Sequence, residues 1–193
     1  DCTGHGVPGA FMSLIGHNLF DKIILQQGYR DPAVILDQLH QQVAKALKQP
    51  EINNISGMDA SIIILEVLQD NTTQITFAGA RRPLYYVSSE NENLQLLKGT
   101  RRSVGGIQNT EVPFQNHVLT LPKNSILYMG SDGLADQNDK NRKKFGVKRL
   151  EAILQAQVGL PMAQQKNAIE QALDHHMQDT TQRDDILWMG IQL

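Results

Sequence analysis

The chain has 193 residues, 18 basic against 20 acidic, for a net charge of −2 at pH 7, and 40% of its residues are hydrophobic. That length suits one domain with a full core, and the near-neutral balance gives no electrostatic case for nucleic acid or an anionic membrane as partner. A single cysteine, Cys2, excludes an internal disulfide or a thiolate zinc cluster and suits a reducing, cytoplasmic setting; no apolar run reaches the ~20 residues of a membrane span.

In chain order, Phe11, Leu14, Ile15, Leu19, Ile23 and Ile24 recur at helical spacing after Pro8, with Gly28 as a stop, so the first predicted element is a helix. Phe11 and Phe20 are expected in the core. Asp31 before Pro32 caps a second helix carrying Ile35, Leu39, Val43, Ala46 and Leu47. Strands follow: "SIIILEVL", "ITFAGA" and "LYYVSS", with "DNTT" and "SENEN" as turns, then "NHVLTL" and "SILYMG". Two helices, "VKRLEAILQ" and "PMAQQKNAIEQALDHHM", precede a last strand "DILWMGIQL", whose Trp188 reads as core, while His175 and His176 read as solvent-facing. Strands in a block flanked by helix pairs predict an α+β fold over residues 1–193.

Aspartates stand where apolar strands meet loops. Asp1 heads "DCTGHG", Asp132 follows "ILYMGS", and Asp184 and Asp185 open the last strand. Taken singly, each is a common turn or cap residue. Antiparallel strands could carry them to one sheet edge, and carboxylates held close together need a cation between them. Oxygen ligands without a Cys or His set suit Mg²⁺ or Mn²⁺, which can activate water and orient a phosphoryl group.

The segments "DCTGHGVPGAFMSLIG", "SGMDASIIIL", "FAGARRPLYYV", "KGTRRSVGG", "LYMGSDGLADQND", "KKFGVKRL" and "RDDILWMGIQL" occur in the order and at roughly the spacing of the SpoIIE-type, RsbU-like branch of the PPM family of metal-dependent serine/threonine protein phosphatases, which the whole chain resembles. The resemblance implies an antiparallel β-sandwich flanked by helix pairs with a two-metal centre at one edge. By motif, Asp1 resembles the aspartate bridging both metals, Cys2 the residue lending a carbonyl, and Asp132 and Asp184 the carboxylates on one metal; Asp185 falls where relatives have Asp or Asn. It implies hydrolysis of phosphoserine or phosphothreonine by metal-bound water, with no phosphoenzyme. Relatives carry a further ligand in a "GDFYD" motif on a preceding strand, so the expectation is an N-terminally incomplete domain. One ligand and one or two strands should then lie upstream of Asp1, and residues 1–193 alone should bind metal weakly and turn over little.

Other residues carry weaker signals. His5 invites a role as general acid, but it stands four residues after Asp1 where a histidine in related phosphatases stands two after, so it reads as a turn histidine. Arg81, Arg82, Arg101 and Arg102 suit phosphate, yet surface solvation is the plainer reading. Asp59, in "GMDAS", enters an apolar strand and needs a partner, so it reads as structural or near the site. The implied substrate is a phosphorylated STAS-domain antagonist of an anti-sigma factor in bacterial partner switching, with an upstream sensory domain and a homodimer as further partners. The rival readings are a catalytically silent or truncated module that binds a partner or dimerises, and a hydrolase of small phosphoesters.

Overall fold

The computed structural model describes residues 1–4, 6–106 and 112–193, and His5 lies outside them. The chain divides into two compact units. One comprises Asp1–Gln69, Thr73–Leu84 and Leu97–Thr120; the other comprises Asp70–Thr72, Tyr85–Leu96 and Leu121–Leu193. Both mix helices with antiparallel strand pairs, which agrees with the predicted α+β class.

The first unit starts with α1 (Gly6–Asp21), which runs into a π-helical turn, Lys22–Gln26. After it come α2 (Pro32–Ala46) and the single turn α3 (Gln49–Ile52). Asp31 caps α2 as its sequence requires, accepting the Val34 N–H at 2.9 Å, with Pro32 in the first turn where its missing N–H costs nothing. Two strands of two residues, β1 (Gly57–Met58) and β6 (Val104–Gly105), pair with each other. Next to them β2 (Ala60–Val67) and β3 (Thr72–Ala80) form a long hairpin with Ala60 opposite Ala80, and β7 (His117–Pro122) lies on the other side of β3. Ile75 and Phe77, two residues apart on β3, are fully buried. The core joins Met12 and Ile23 to Ile35, Leu36, Leu39 and Val43 of α2, with Met58, Ala78, Val104 and Phe114.

Phe11 corrects the reading of α1. Phe11 is 61% exposed, Val7 and Leu14 on the same stripe are exposed too, and the buried face is Gly9, Met12 and Gly16. A Cβ on Gly16 would lie 2.8 Å from Met58 Cε, so α1 approaches its neighbours closely at its glycines, with Met12 in the core and Val7, Phe11 and Leu14 turned outward. Helical period was legible in the sequence; the packing face was not.

The second unit is built on a four-stranded sheet in the order β5-β4-β8-β9, with β4 (Leu84–Ser88), β5 (Asn91–Leu97), β8 (Ile126–Gly130) and β9 (Trp188–Gln192). Edge strand β5 begins inside the "SENEN" turn, because an edge strand can leave Asn91, Glu92 and Asn93 in solvent. The short α4 (Gly133–Asp136) follows β8, and α5 (Val147–Ala156) and α6 (Met162–His176) pack with the sheet around Tyr85, Val87, Tyr128, Leu134, Phe145, Leu150, Leu154 and Ile169. Tyr128 donates its hydroxyl to buried Gln165, whose amide donates in turn to the Leu160 carbonyl at 2.8 Å. His176 is half-buried rather than solvent-facing. It sits edge-on to Phe145, and its Nε2 lies 3.1 Å from both the Gln137 and Lys143 carbonyls. Among the described residues no helix is long and apolar enough to cross a membrane.

Candidate metal centre

In the first unit residues 1–3 run antiparallel to β1. Asp59 N–H donates to the Asp1 carbonyl and Thr3 N–H to the Gly57 carbonyl, each at 2.8 Å, with Cys2 opposite Met58. These two bonds flank Cys2, so its own carbonyl points away from β1, as a ligand carbonyl needs. Its thiol accepts from Ser13 Oγ at 3.6 Å and is not part of an oxygen donor set.

The Asp1 carboxylate faces a guanidinium. Arg82 Nη1 lies 3.3 Å from Asp1 Oδ2, and Nη2 donates to Asp59 Oδ2 at 3.2 Å, all three side chains being no more than 21% exposed. Ser103 Oγ donates to the other Asp59 oxygen. Asp59 thus has the partners its position demanded, a cation and a hydroxyl. Arg82 is held by the turn after β3. There Arg81 adopts a left-handed backbone, its N–H donates to the Thr100 carbonyl at 2.8 Å, and the Arg82 N–H donates to the Ala80 carbonyl at 2.7 Å. A Cβ on Gly79 would lie 2.1 Å from the Arg82 carbonyl, so this turn requires glycine there.

In the second unit Asp132 sits between β8 and α4, and its turn lies against the segment entering β9. Ser131 N–H donates to the Leu187 carbonyl at 3.0 Å; its hydroxyl donates to the Asp185 carbonyl at 2.8 Å and accepts the Leu187 N–H at 3.1 Å. A Cβ on Gly133 would lie 2.4 Å from the Asp185 carbonyl. Asp132 and the Asp184–Asp185 pair therefore share one corner, with Asp184 and Asp185 exposed and Asp132 half-buried. Asp184 Oδ1 accepts the Asp185 N–H at 2.9 Å.

The remaining candidates separate. Arg81 and Arg101 are exposed. Arg102, read as solvated, is 5% exposed; it pairs with Asp37 at 3.3 Å, donates to the Val112 carbonyl and lies 4.7 Å over the Phe114 ring. That is a structural role beside α2, because a buried guanidinium needs this many partners. Among the described residues no group of three or more His, Cys, Asp or Glu side chains stands in metal-binding geometry. The donors at both corners are nonetheless carboxylate and carbonyl oxygens, the chemistry that fits Mg²⁺ or Mn²⁺. Ser103, Ser131 and Gln137 went unnoticed in the sequence. Only Ser131 carried a signal, a hydroxyl directly before the strand-end aspartate.

Comparison with known proteins agrees with this architecture. The family model for Stage II sporulation protein E (SpoIIE) matches residues 1–193. The SiaA-PP2C domain of Pseudomonas aeruginosa superposes with a TM-score of 0.82 at 29% identity, covering 100% of this chain and 73% of that one. The PP2C phosphatase domain of SpoIIE from Bacillus subtilis, solved with a fragment of its regulatory domain, gives 0.69 at 17% identity over 100% of this chain and 51% of that one. RsbX in complex with magnesium gives 0.60 at 15% identity over 98% and 76%. The chain thus spans about half the length of the SpoIIE structure. No protein of curated function matches it. With its family model matched from end to end and its antiparallel α+β architecture shared with these domains, the chain belongs to the SpoIIE family and is homologous to PP2C-type serine/threonine phosphatases.

Proposed function

We propose that the protein hydrolyses phosphoserine or phosphothreonine on a phosphorylated regulatory protein of the STAS type, in bacterial partner switching and in the cytoplasm, using Mg²⁺ or Mn²⁺. The observation that carries this reading is the arrangement of Asp132 against the Asp184–Asp185 segment, fixed by Ser131 and Gly133, in a chain that the SpoIIE family model matches from end to end. One relative was solved with magnesium.

Asp1, the Cys2 carbonyl, Asp132 and Asp184 are the proposed ligands, with Asp185 as an additional carboxylate. A divalent pair so held would supply a nucleophilic water and charge stabilisation for the phosphoryl group. The chain's own contribution is orientation. The ladder to β1 turns the Cys2 carbonyl outward, and the Ser131 hydroxyl ties the Asp132 turn to the backbone of Asp185 and Leu187. Arg82 offsets part of the negative charge of Asp1 and Asp59. A regulatory region outside these residues and a dimer are further proposals from the same resemblance.

The test is Mn²⁺-dependent phosphate release from a phosphoserine STAS protein by the full-length protein, repeated with Asp132→Ala. Loss of turnover in the variant supports the assignment, and activity surviving the substitution rejects it. Release from small phosphoesters with no preference for phosphoprotein would favour a small-molecule hydrolase instead. Binding of the partner with no release at all would favour a silent module.

A further inference from the structure

We propose that Arg82 is a resident cation at Asp1 that sets the metal affinity of this corner, so that a divalent ion binds Asp1 against the charge of a guanidinium already shared with Asp59. This deepens the proposed function and rests on it.

The geometry is specific. Arg82 does not fork onto one carboxylate: Nη1 reaches Asp1 Oδ2 at 3.3 Å and Nη2 reaches Asp59 Oδ2 at 3.2 Å, so one positive charge serves two negative ones. Its charge is permanent, since a guanidinium does not deprotonate in proteins. With Arg82 only 14% exposed, water screens the charge poorly. The backbone fixes where the side chain starts, through the left-handed Arg81 and the carbonyl packed against Gly79 and Gly99. Ser103 keeps Asp59 turned toward the guanidinium by occupying its other oxygen.

Two consequences of opposite sign follow. Without Arg82, Asp1 and Asp59 face each other with no shared cation, so the apoprotein loses stability while a divalent ion gains affinity. Without the charge on Asp59, more of the Arg82 charge acts on Asp1 and metal binding weakens. A residue that merely propped up the fold would weaken binding whichever partner was removed.

The experiment is calorimetric titration of Mn²⁺ into the full-length protein and its Arg82→Ala, Arg82→Gln, Arg82→Lys and Asp59→Asn variants, with melting temperatures in chelator and in Mn²⁺. The expected result is binding tightened about tenfold by Arg82→Ala and Arg82→Gln, the effect of one charge a few ångströms away after solvent screening. Both should melt lower than wild type in chelator and recover in Mn²⁺. Arg82→Lys should stay near wild type, and Asp59→Asn should bind several-fold more weakly. If Arg82→Ala does not fold, Arg82→Gln, which keeps donors and drops the charge, decides the question. Unchanged or weaker binding in the neutral Arg82 variants overturns the proposal, as does binding in Asp59→Asn that is not weakened. A wild-type protein that binds no Mn²⁺ overturns the proposed function as well, whereas wild-type binding with insensitive variants overturns only the role of Arg82.

Discussion

Gln137 Oε1 accepts the Arg183 N–H at 3.1 Å while its amide donates to the Thr181 and Asn138 carbonyls, also at 3.1 Å each, so one side chain just after α4 suspends the loop that leads to Asp184. Gln137 is 1% exposed, and its own carbonyl accepts the Phe145 N–H at 2.8 Å. Gln137→Ala would strand those loop groups. The expected outcome is a loss of about 2 kcal/mol or more in urea unfolding, together with faster amide exchange across residues 179–185.

Gly133→Ala tests the close approach at the second acidic corner. The added methyl would meet the Asp185 carbonyl, a backbone atom that cannot swing aside, so the Asp132 turn and the β9 entry must separate. Destabilisation of about 1–3 kcal/mol is expected, with reduced phosphate release, measured by thermal unfolding and turnover on the phosphoprotein.

His40 gives the fold an acid-side sensitivity. Burial is the main force pushing its pKa below 6.5, helped by the Arg102 charge and opposed by Asp37 and by a hydrogen bond with the Ser103 backbone. Its Nδ1 accepts the Gly105 N–H at 3.0 Å, a bond that requires the neutral ring. Because the folded-state pKa is depressed, this contribution is complete above about pH 6.5 and declines as pH falls through the lower folded value. Urea midpoints should therefore fall below pH 6.5, and His40→Ala should flatten that dependence while losing about 1–3 kcal/mol at neutral pH.

The orientation of α1 is tested by neighbouring residues. Met12 is 5% exposed and Phe11 is 61% exposed. Met12→Ala should cost about 2–5 kcal/mol, whereas Phe11→Ser should change stability by less than about 0.5 kcal/mol. Denaturant titration of the two variants checks which face is buried.

Tyr128 has its ionisation pushed up to about 12 by burial, with the bond to Gln165 pulling the other way. A raised folded pKa means that this stability is intact below about pH 10 and is lost as pH rises toward 12. Spectrophotometric titration should show one tyrosine ionising last, and Tyr128→Phe should remove that step at a cost of about 1–2 kcal/mol.

Much of the architecture was legible because it rests on local rules. The Asp31–Pro32 cap, the hairpin of β2 and β3, and the helices α5 and α6 each follow from a capping residue, β-branched runs or a 3.6-residue period. Strand β5 was hidden because an edge strand can carry a polar run, and β1 and β6 because two-residue strands have no period. At the site, the position of Asp132 just past β8 could be read from sequence, as could the need of Asp59 for a partner. The identity of that partner could not. Asp184 and Asp185, expected to open the last strand, stand before β9, which begins at Trp188.

By itself, the sequence determined the kind of element each segment forms, the places where acidic side chains stand, and the family to which the chain belongs, because propensity, period and motif order act over a few neighbouring residues. Tertiary structure alone decided which residues meet across long separations. Arg82 found Asp1 and Asp59, while Arg102, twenty residues on, found Asp37 and Phe114. It also decided that α1 buries glycines and exposes Phe11. Those outcomes depend on how closely backbones approach and on which buried charge lacks a partner, and both are fixed only when distant segments pack.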